Sequence, residues 1–354
     1  MLYVDKYRPK ALEQFELHSD VAQNLQKLVV NGDCPHTLFY GPAGAGKKTL
    51  ILALLREIYG AGVEKLKVEC KPWKIQLPSR VLELEFTTVS SAYHVEMNPS
   101  DVGNNDRYVV QEIIKEMAKS RPIGADGQQG FKVLVLNEVD RLSKEAQHSL
   151  RRTMEKYSAA CRLVLACNNV SKVIEPVRSR CLCIRVAAPS VDSIAQQLQH
   201  VAGREKLCLP PALAQRLAAG CDRNLRRALL SLEACRVQQY PFREDQQVAE
   251  PDWELYIKEI AADVLGEQSP KRLFQVRGKL YELLVNCIPP EVVLRKLALA
   301  LMPKLDDELR HSTAEDAAFY EHRLQEGSKA IFHLEAFLAR FMSNYKQYII
   351  NLGF

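Results

Sequence analysis

A chain of 354 residues is long enough for two or three domains, and a composition of 47% hydrophobic and 26% charged residues is typical of globular proteins with sizeable cores. The net charge of +5 is too small to establish nucleic-acid binding unless the basic residues cluster on one face. No apolar run approaches the roughly 18 residues that cross a bilayer, and residues 1–8 lack the apolar stretch of a signal peptide, so we expect a soluble intracellular protein without a membrane partner.

The first predicted elements surround a glycine-rich turn. Ser19 or Asp20 is predicted to cap a helix that ends near Val30. A short apolar strand at residues 37–40 then leads into the glycine-rich turn, and a helical pattern follows at residues 50–58. This order of strand, glycine-rich turn and helix is the context that a phosphate-binding loop requires.

The next elements complete an α/β pattern. Two strands flank a turn-like segment at residues 71–80 and predict a hairpin inserted into the fold. Strands that alternate with helices then predict a parallel sheet with helices on both faces, which binds its ligands at the carboxyl ends of the strands. The predicted elements are strands at 65–70, 81–89, 93–97, 132–136, 162–167 and 182–186, a helix from Asp106 to Lys119, a loop at 121–130 and a helix from Ser143 to Tyr157.

The pattern changes to helices alone after residue 187. Helices are predicted from residue 193 to about 239, and a polar linker at 246–251 precedes further helices. The predicted domains are therefore an α/β domain at 1–187, a helical domain at 188–247 and a second helical domain at 248–354. The last helix, about 328–352, carries an apolar stripe that needs a partner surface, either in its own domain or on another subunit.

The phosphate-binding loop departs from the usual pattern at one position. Its glycines let backbone N–H groups point at an anion, and Lys47 is placed to reach the β- and γ-phosphates. The next residue should be a Ser or Thr that holds Mg²⁺, but Lys48 occupies that position and Thr49 comes one place late. The loop residues predicted to contact nucleotide are Gly41, Pro42, Ala43, Gly44, Ala45, Gly46, Lys47, Lys48 and Thr49.

A second departure follows the strand at residues 132–136. A hydrolase needs an acidic residue there for Mg²⁺ and a second carboxylate for the attacking water, but the chain has Asn137 and Glu138. Two unit charges ~4 Å apart repel by ~4 kcal/mol at an effective dielectric of 20, so Lys48 disfavours Mg²⁺ unless it swings away. Lys48 could instead replace the charge of the metal. We interpret Asp140 as structural.

Several basic residues admit two interpretations each. Arg180, before the last strand, is either a solvated charge or an arginine finger for a neighbouring subunit. Arg226, on a helix of the second domain, is either surface charge or a γ-phosphate contact. The predicted DNA contacts are Arg107, Gln111, Ser143, Lys144 and Arg151, although taken one at a time each is more typical of a solvated face.

The ten cysteines are scattered and contain no Cys-x-x-Cys pair, so the sequence predicts no metal site, and we interpret them as buried reduced thiols.

Taken together, the motifs resemble those of a known family over essentially the whole chain. They are VDKYRP at residues 4–9, Pro35 and His36 before the glycine-rich loop, LRRTME at 150–155, SRC at 179–181 and NLRRAL at 224–229. The chain resembles the small subunits of eukaryotic replication factor C, an AAA+ clamp loader of five subunits. The chain resembles one paralogue in particular, the small subunit with a degenerate ATPase site. The features that carry this resemblance are Lys48, Asn137 and the hairpin around Trp73.

The resemblance implies an α/β AAA+ module, an all-α lid and an all-α C-terminal collar that joins the subunits. It implies an adenine pocket of Val4, Tyr7 and Arg8, with ATP or ADP as the cofactor and Mg²⁺ doubtful. Asn168 would be the first sensor and Arg226 the second, Glu138 would remain to orient the water, and Arg180 would complete the ATP site of a neighbour.

The implied partners are the other replication factor C subunits, the PCNA sliding clamp and primer–template DNA, in the nucleus, together with alternative large subunits. Arg107 and Gln111 depart from the residues commoner in small subunits. Two other hypotheses stay open at this point, a self-sufficient AAA+ DNA-remodelling ATPase and a scaffold with an empty pocket. A bacterial-type loader subunit is disfavoured because its metal-spaced cysteines are missing.

Overall fold

The computed structural model describes residues 1–32, 34–76, 81–119, 131–158 and 160–351. The chain forms two compact units, Met1–Val248 and Ala249–Phe354. The division into three domains at 1–187, 188–247 and 248–354 stays a prediction. The loop predicted at 121–130 lies outside the described residues.

The first unit is built on a mostly parallel sheet. Among the described residues the sheet has seven strands in the order β2-β3-β4-β5-β6-β1-β7, and the five strands from β4 to β7 in that order run parallel. The α/β prediction is therefore confirmed. The strands are β1 (Thr37–Tyr40), β2 (Lys67–Gln76), β3 (Val81–Ser90), β4 (His94–Met97), β5 (Lys132–Leu136), β6 (Cys161–Cys167) and β7 (Leu182–Arg185).

The central strands are buried on both faces because helices cover both. Successive side chains of a strand point to opposite faces, so Leu134 and Leu136 of β5 lie in one hydrophobic cluster and Val133 and Val135 lie in another. This explains why β5 is a continuous apolar run instead of an alternating one.

The inserted hairpin has longer strands and a shorter turn than the sequence predicts. Residues 71–76, which were predicted to be part of a turn, pair with residues 81–86 in an antiparallel ladder. Pro72 is compatible with this ladder because β2 is the edge strand of the sheet. Residues 77–80 lie outside the part of the chain that the structure describes.

Helices surround the sheet and form the rest of both units. The helix predicted from a Ser19 or Asp20 cap begins at Ser19, but its N-cap is His18, which makes no capping side-chain hydrogen bond. Within the described residues the helices are α1 (Tyr3–Lys6), α2 (Ser19–Val30), α3 (Lys47–Tyr59), α4 (Asp106–Lys119), α5 (Lys144–Tyr157), α6 (Glu175–Arg178), α7 (Val191–Arg204), α8 (Pro211–Ala219), α9 (Leu225–Gln238), α10 (Asp252–Gly266), α11 (Pro270–Val285), α12 (Pro290–Leu301), α13 (Asp307–Glu326) and α14 (Ala330–Asn351).

The second unit buries the apolar stripe of its last helix. Leu334, Leu338 and Phe341 of α14 are 2% exposed or less and pack among helices of the same unit. The partner surface that the stripe requires is therefore supplied largely by its own unit. None of the helices in the described ranges is long and apolar enough to cross a membrane.

The cysteine prediction is half right. All ten are free thiols, and five are buried. Cys70, Cys183, Cys208 and Cys287 are exposed, because they lie on an edge strand or near element ends instead of in a core. In the described ranges no group of three or more His, Cys, Asp or Glu side chains is arranged to hold a metal ion.

One buried carboxylate joins the starts of two helices. Asp106, which is 3% exposed, accepts hydrogen bonds from the backbone nitrogen of Arg107 at 2.7 Å and of Ser143 at 2.7 Å. It also accepts a bond from the Ser143 hydroxyl, which in turn accepts one from the backbone nitrogen of Ala146. Asp106 is the first residue of α4, so its carboxylate ties the start of α4 to the start of α5 and orients the Ser143 cap.

We expect Asp106→Ala to destabilise the first unit by about 2–3 kcal/mol, because two helix starts lose hydrogen bonds in a buried place. Asp192→Ala is a matched control, since Asp192 is an exposed carboxylate in the first turn of α7, and it should cost less than about 1 kcal/mol. Thermal unfolding followed by circular dichroism measures both variants. Equal losses of melting temperature would contradict the role of Asp106 in joining the two helix starts.

Candidate nucleotide-binding site

The glycine-rich loop joins β1 to α3 at the carboxyl edge of the sheet. Gly41 and Gly44 have φ of 153° and 75°, a region that favours glycine. A Cβ atom at Gly41 would lie 2.0 Å from the carbonyl oxygen of Val186, and one at Gly44 would lie 1.8 Å from Oδ1 of Asn224. The loop therefore needs glycine for its backbone angles and for the close approach of its neighbours.

Lys47 is held at the mouth of this loop. Its ammonium donates to the carbonyl oxygens of Gly41 at 2.7 Å and Pro42 at 2.9 Å, and to Oδ1 of Asn168 at 2.8 Å. Burial lowers the pKa of Lys47, while nearby acidic groups oppose that shift. Asn168 follows β6, so the loop and the end of a neighbouring strand meet as the sequence predicts.

A cleft of about 790 Å³ opens beside the loop and gathers most of the predicted nucleotide contacts. This volume lies within the range of small-molecule and cofactor sites. Gly41, Pro42 and Arg180 do not line it. The predicted residues that do line it are Val4, Tyr7, Arg8, Ala43, Gly44, Ala45, Gly46, Lys47, Lys48, Thr49, Glu138, Asn168 and Arg226.

The N-terminal arm forms one wall of the cleft. The Tyr7 hydroxyl donates to Glu205, and this bond raises the pKa of Tyr7. The guanidinium of Arg204 lies 5.9 Å from the centre of the Tyr7 ring. Tyr3 is buried among the helices α7 to α9, so the arm and these helices pack as one body.

Lys48 does not point freely into the cleft. Its ammonium forms an ion pair with Glu96 of β4, and the Nδ2 atom of Asn137 donates to the same carboxylate oxygen at 2.7 Å. Glu96 is 6% exposed, whereas the Lys48 side chain is 54% exposed. The two residues that depart from the hydrolase pattern therefore share one buried carboxylate.

Sequence reasoning missed Glu96. Its strand was predicted, but nothing in the chain order shows that β4 lies beside β5 and ends at the same edge of the sheet. The available signal in the sequence was an acidic residue between the apolar Val95 and Met97 of a short predicted strand. A charge that is buried in this way usually has a partner.

Glu138 and Asp140 take different roles after β5. Glu138 has a φ of 53°, a left-handed conformation that costs roughly 1–2 kcal/mol for a residue with a side chain, and its carboxylate lies 3.0 Å from Arg141. Asp140 accepts hydrogen bonds from the backbone nitrogens of Asn168 and Asn169. The structural interpretation of Asp140 is thus confirmed, and of these two carboxylates it is Glu138 that lines the cleft.

Arg180 is fixed at a different place in the first unit. Its guanidinium contacts Glu155 at 2.6 and 2.7 Å and donates to the carbonyl oxygen of Pro176 at 2.8 Å. Glu155 also lies 3.7 Å from Arg151. Arg180 is therefore oriented by its own chain and is not directed at its own nucleotide cleft.

A groove of about 510 Å³ contains three of the five predicted DNA contacts, Arg107, Gln111 and Arg151. Glu145 and Glu155 also line it, and Glu145 lies 3.6 Å from Arg107. The two remaining residues are outside the groove. The Ser143 hydroxyl is engaged by Asp106, and Lys144 is exposed at the first position of α5.

The parallel sheet, the glycine-rich loop and the helices that follow define an AAA+ nucleotide-binding protein with an all-α lid and C-terminal region. Residues 17–190 match the family model of the DNA polymerase III delta subunit. Residues 196–237 match the RCF1/5-like AAA+ ATPase lid domain, and residues 253–349 match the C-terminal domain of replication factor C subunit 3.

Curated relatives narrow the class further. The chain is 62% identical to replication factor C subunit 5 of Oryza sativa and covers 99% of both sequences. It is 61% identical to replication factor C subunit 3 of Arabidopsis thaliana, again over 99% of both. It is 54% identical to replication factor C subunit 3 of Mus musculus, over 98% of this chain and 97% of that protein. The chain belongs to the family of replication factor C small subunits.

Solved structures agree on the fold. RuvB of Thermotoga maritima, as an arginine-to-alanine variant, matches with a TM-score of 0.50 over 77% of this chain and 85% of that one. A proline-to-glycine variant matches equally well, over 86% of its own chain. Both are 16% identical to this chain, so the likeness concerns the fold alone.

The contact between the glycine-rich loop and Asn224 gives a testable prediction. Gly32 and Gly44 share a positive φ, but no described atom lies within 4 Å of a Cβ at Gly32. We expect Gly32→Ala to lower the free energy of unfolding by about 1–2 kcal/mol, because alanine is strained at this positive φ. Gly44→Ala should lower the free energy of unfolding by about 1–3 kcal/mol more than Gly32→Ala does, because the added methyl group displaces Asn224. Equal melting temperatures for the two variants would show that the loop does not depend on this contact.

Proposed function

We propose that this chain acts as a clamp-loader subunit that binds an adenine nucleotide, hydrolyses it poorly and completes the ATP site of a neighbouring subunit through Arg180. The observation that carries the proposal is the triad of Lys48, Glu96 and Asn137 at the place where a hydrolase of this type assembles its metal ligands. Family membership implies that the chain works within the multi-subunit replication factor C complex.

The residues of the cleft fit a nucleotide. The loop backbone is shaped for phosphate, Lys47 and Arg226 line the same cleft, and Tyr7 with its neighbours offers an aromatic wall for a base. Asn168 holds Lys47 at the position expected of a first sensor. ATP and ADP share the base and the inner phosphates that these residues would contact.

The same residues do not fit Mg²⁺. Lys48 replaces the hydroxyl ligand and Asn137 replaces the carboxylate ligand, while the buried carboxylate of Glu96 beside them is already paired. Each pair of like unit charges ~4 Å apart costs ~4 kcal/mol at an effective dielectric of 20, and the charge of Mg²⁺ doubles that. We therefore derive no hydrolytic step in this site, although Glu138 remains beside it.

The position of Arg180 supports action on a neighbour. Its two contacts with Glu155 and one with Pro176 fix the direction of the guanidinium, and it does not line its own cleft. A preoriented guanidinium is what stabilisation of a transferring phosphoryl group requires. A self-sufficient AAA+ DNA-remodelling ATPase is disfavoured because its own metal site would have to be intact.

The partners follow from the proposed role. A clamp loader in the nucleus would act with the other replication factor C subunits on the PCNA sliding clamp and primer–template DNA, and an alternative large subunit could take the place of the usual one. The groove of Arg107, Gln111 and Arg151 supports a contact with the DNA backbone, because arginines that share a groove suit phosphates without reading sequence. Lys144 at the start of α5 would extend that contact.

Arg180→Ala should slow ATP hydrolysis by the assembled loader, whereas Lys47→Ala should leave it nearly unchanged. Loss of an arginine finger costs its site on the order of 10³-fold or more in rate, and the cis site of this chain contributes little. Arg185→Ala, an exposed arginine at the end of β7, is the control. Steady-state phosphate release gives the rate of ATP hydrolysis for all three variants. A larger loss of rate in Lys47→Ala than in Arg180→Ala would contradict the proposal.

Arg151→Ala should weaken binding of the assembled loader to a primer–template duplex of any sequence. A lost phosphate contact lowers the slope of log affinity against log salt by about 1. Lys27→Ala removes an exposed charge of α2 outside the groove and should leave the slope unchanged. Fluorescence anisotropy across a salt series gives both slopes. An unchanged slope for Arg151→Ala would show that the groove does not contact the DNA backbone.

A further inference from the structure

The ion pair between Lys48 and Glu96 bears on how the site balances phosphate charge. We infer that Lys48, positioned by Glu96, is the resident cation of this site and that the nucleotide binds as a metal-free phosphate anion. This inference rests on the proposed function, because it concerns the chemical form in which the nucleotide of that same cleft is bound.

The placement of Lys48 supports this role. It is the second residue of α3, directly after the phosphate-binding Lys47, and it lines the same cleft. An ammonium has three N–H donors, and Glu96 accepts through a single oxygen, Oε1. The side chain is 54% exposed and lines the cleft, so N–H donors that Glu96 does not occupy remain for phosphate oxygens.

Glu96 gives Lys48 a fixed direction. The carboxylate is 6% exposed and is also held by Nδ2 of Asn137 at 2.7 Å. Because β4 and β5 are parallel neighbours, with Met97 opposite Leu136, Glu96 and Asn137 approach each other at the carboxyl edge of the sheet. Glu96 is therefore a positioning residue that acts through Lys48.

The arrangement parallels a metal site in its charges. In the usual site a cation lies between phosphate and an acidic strand end, and the loop hydroxyl and the acidic residue both hold it. Here an ammonium lies in that place, and a carboxylate from the adjacent strand holds it. The ammonium is a compact point charge that belongs to the chain, and it would face the phosphates in the place of a divalent ion.

Calorimetric titration of ADP into the whole chain tests the inference. We expect Mg²⁺ not to tighten the wild-type dissociation constant measured in EDTA, and to weaken it to the extent that the ion chelates free ADP. Tightening by Mg²⁺ of more than about twofold would overturn the inference. If ADP binds in neither buffer, the nucleotide-binding part of the proposed function fails as well, so the two failures are distinguishable.

Two variants locate the cation. Lys48→Thr removes the ammonium, restores the hydroxyl and frees Glu96, so affinity in EDTA should fall at least about tenfold and become dependent on Mg²⁺. Lys27→Thr is the matched control and should bind as wild type does. Unchanged affinity of Lys48→Thr in EDTA would overturn the inference. The wild-type comparison decides the question if Lys48→Thr does not fold.

Discussion

The buried carboxylate of Glu96 is the constraint on which the nucleotide site depends. A charge in a place that is 6% exposed is costly unless it is paired and hydrogen-bonded, and here Lys48 and Asn137 provide both. In the sequence, Lys48 and Asn137 look like two separate losses of metal ligands. In the structure they form one group, because both contact the Glu96 carboxylate and together they satisfy it. Removing either partner would leave the carboxylate poorly satisfied, so the three residues have to be considered together.

The walls of the cleft depend on a second set of contacts, which join the glycine-rich loop to the helices after the sheet. Asn224 caps α9 and also approaches Gly44 closely, so the start of that helix and the loop share one side chain. Arg223 donates to the carbonyl oxygens of Ala188 and Pro189, at the exit from the sheet. Arg226, the second residue of the same helix, thereby lines the cleft in a defined position.

Local patterns predicted the elements well where burial is uniform. The strands at residues 37–40 and 132–136 have the predicted bounds, because their apolar runs are buried on both faces. The hairpin turn was placed too early, since Pro72 signals a turn in sequence but is compatible with an edge strand. The exposed cysteines were missed because composition does not report position on a surface.

Only those site residues could be predicted that lie close together in the sequence or belong to a known motif. Lys47, Asn168 and the loop glycines follow strands whose ends meet at one edge, and this was inferred from the alternation of strands and helices. Glu96 could not be inferred in this way, because its partnership with Lys48 depends on strand order across the sheet. The double role of Asp106 was hidden for the same reason, since it lies in the first turn of one helix and reaches Ser143 at the start of another across the fold.

The central claim is that this chain holds its nucleotide without cleaving it. Loading the isolated chain with ATP labelled at the γ-phosphate, removing the excess and following phosphate release tests the claim most directly. The account predicts that bound nucleotide is retained with its γ-phosphate intact over many minutes. Steady phosphate release by the isolated chain, abolished by Glu138→Gln, would contradict it and would favour a self-sufficient ATPase.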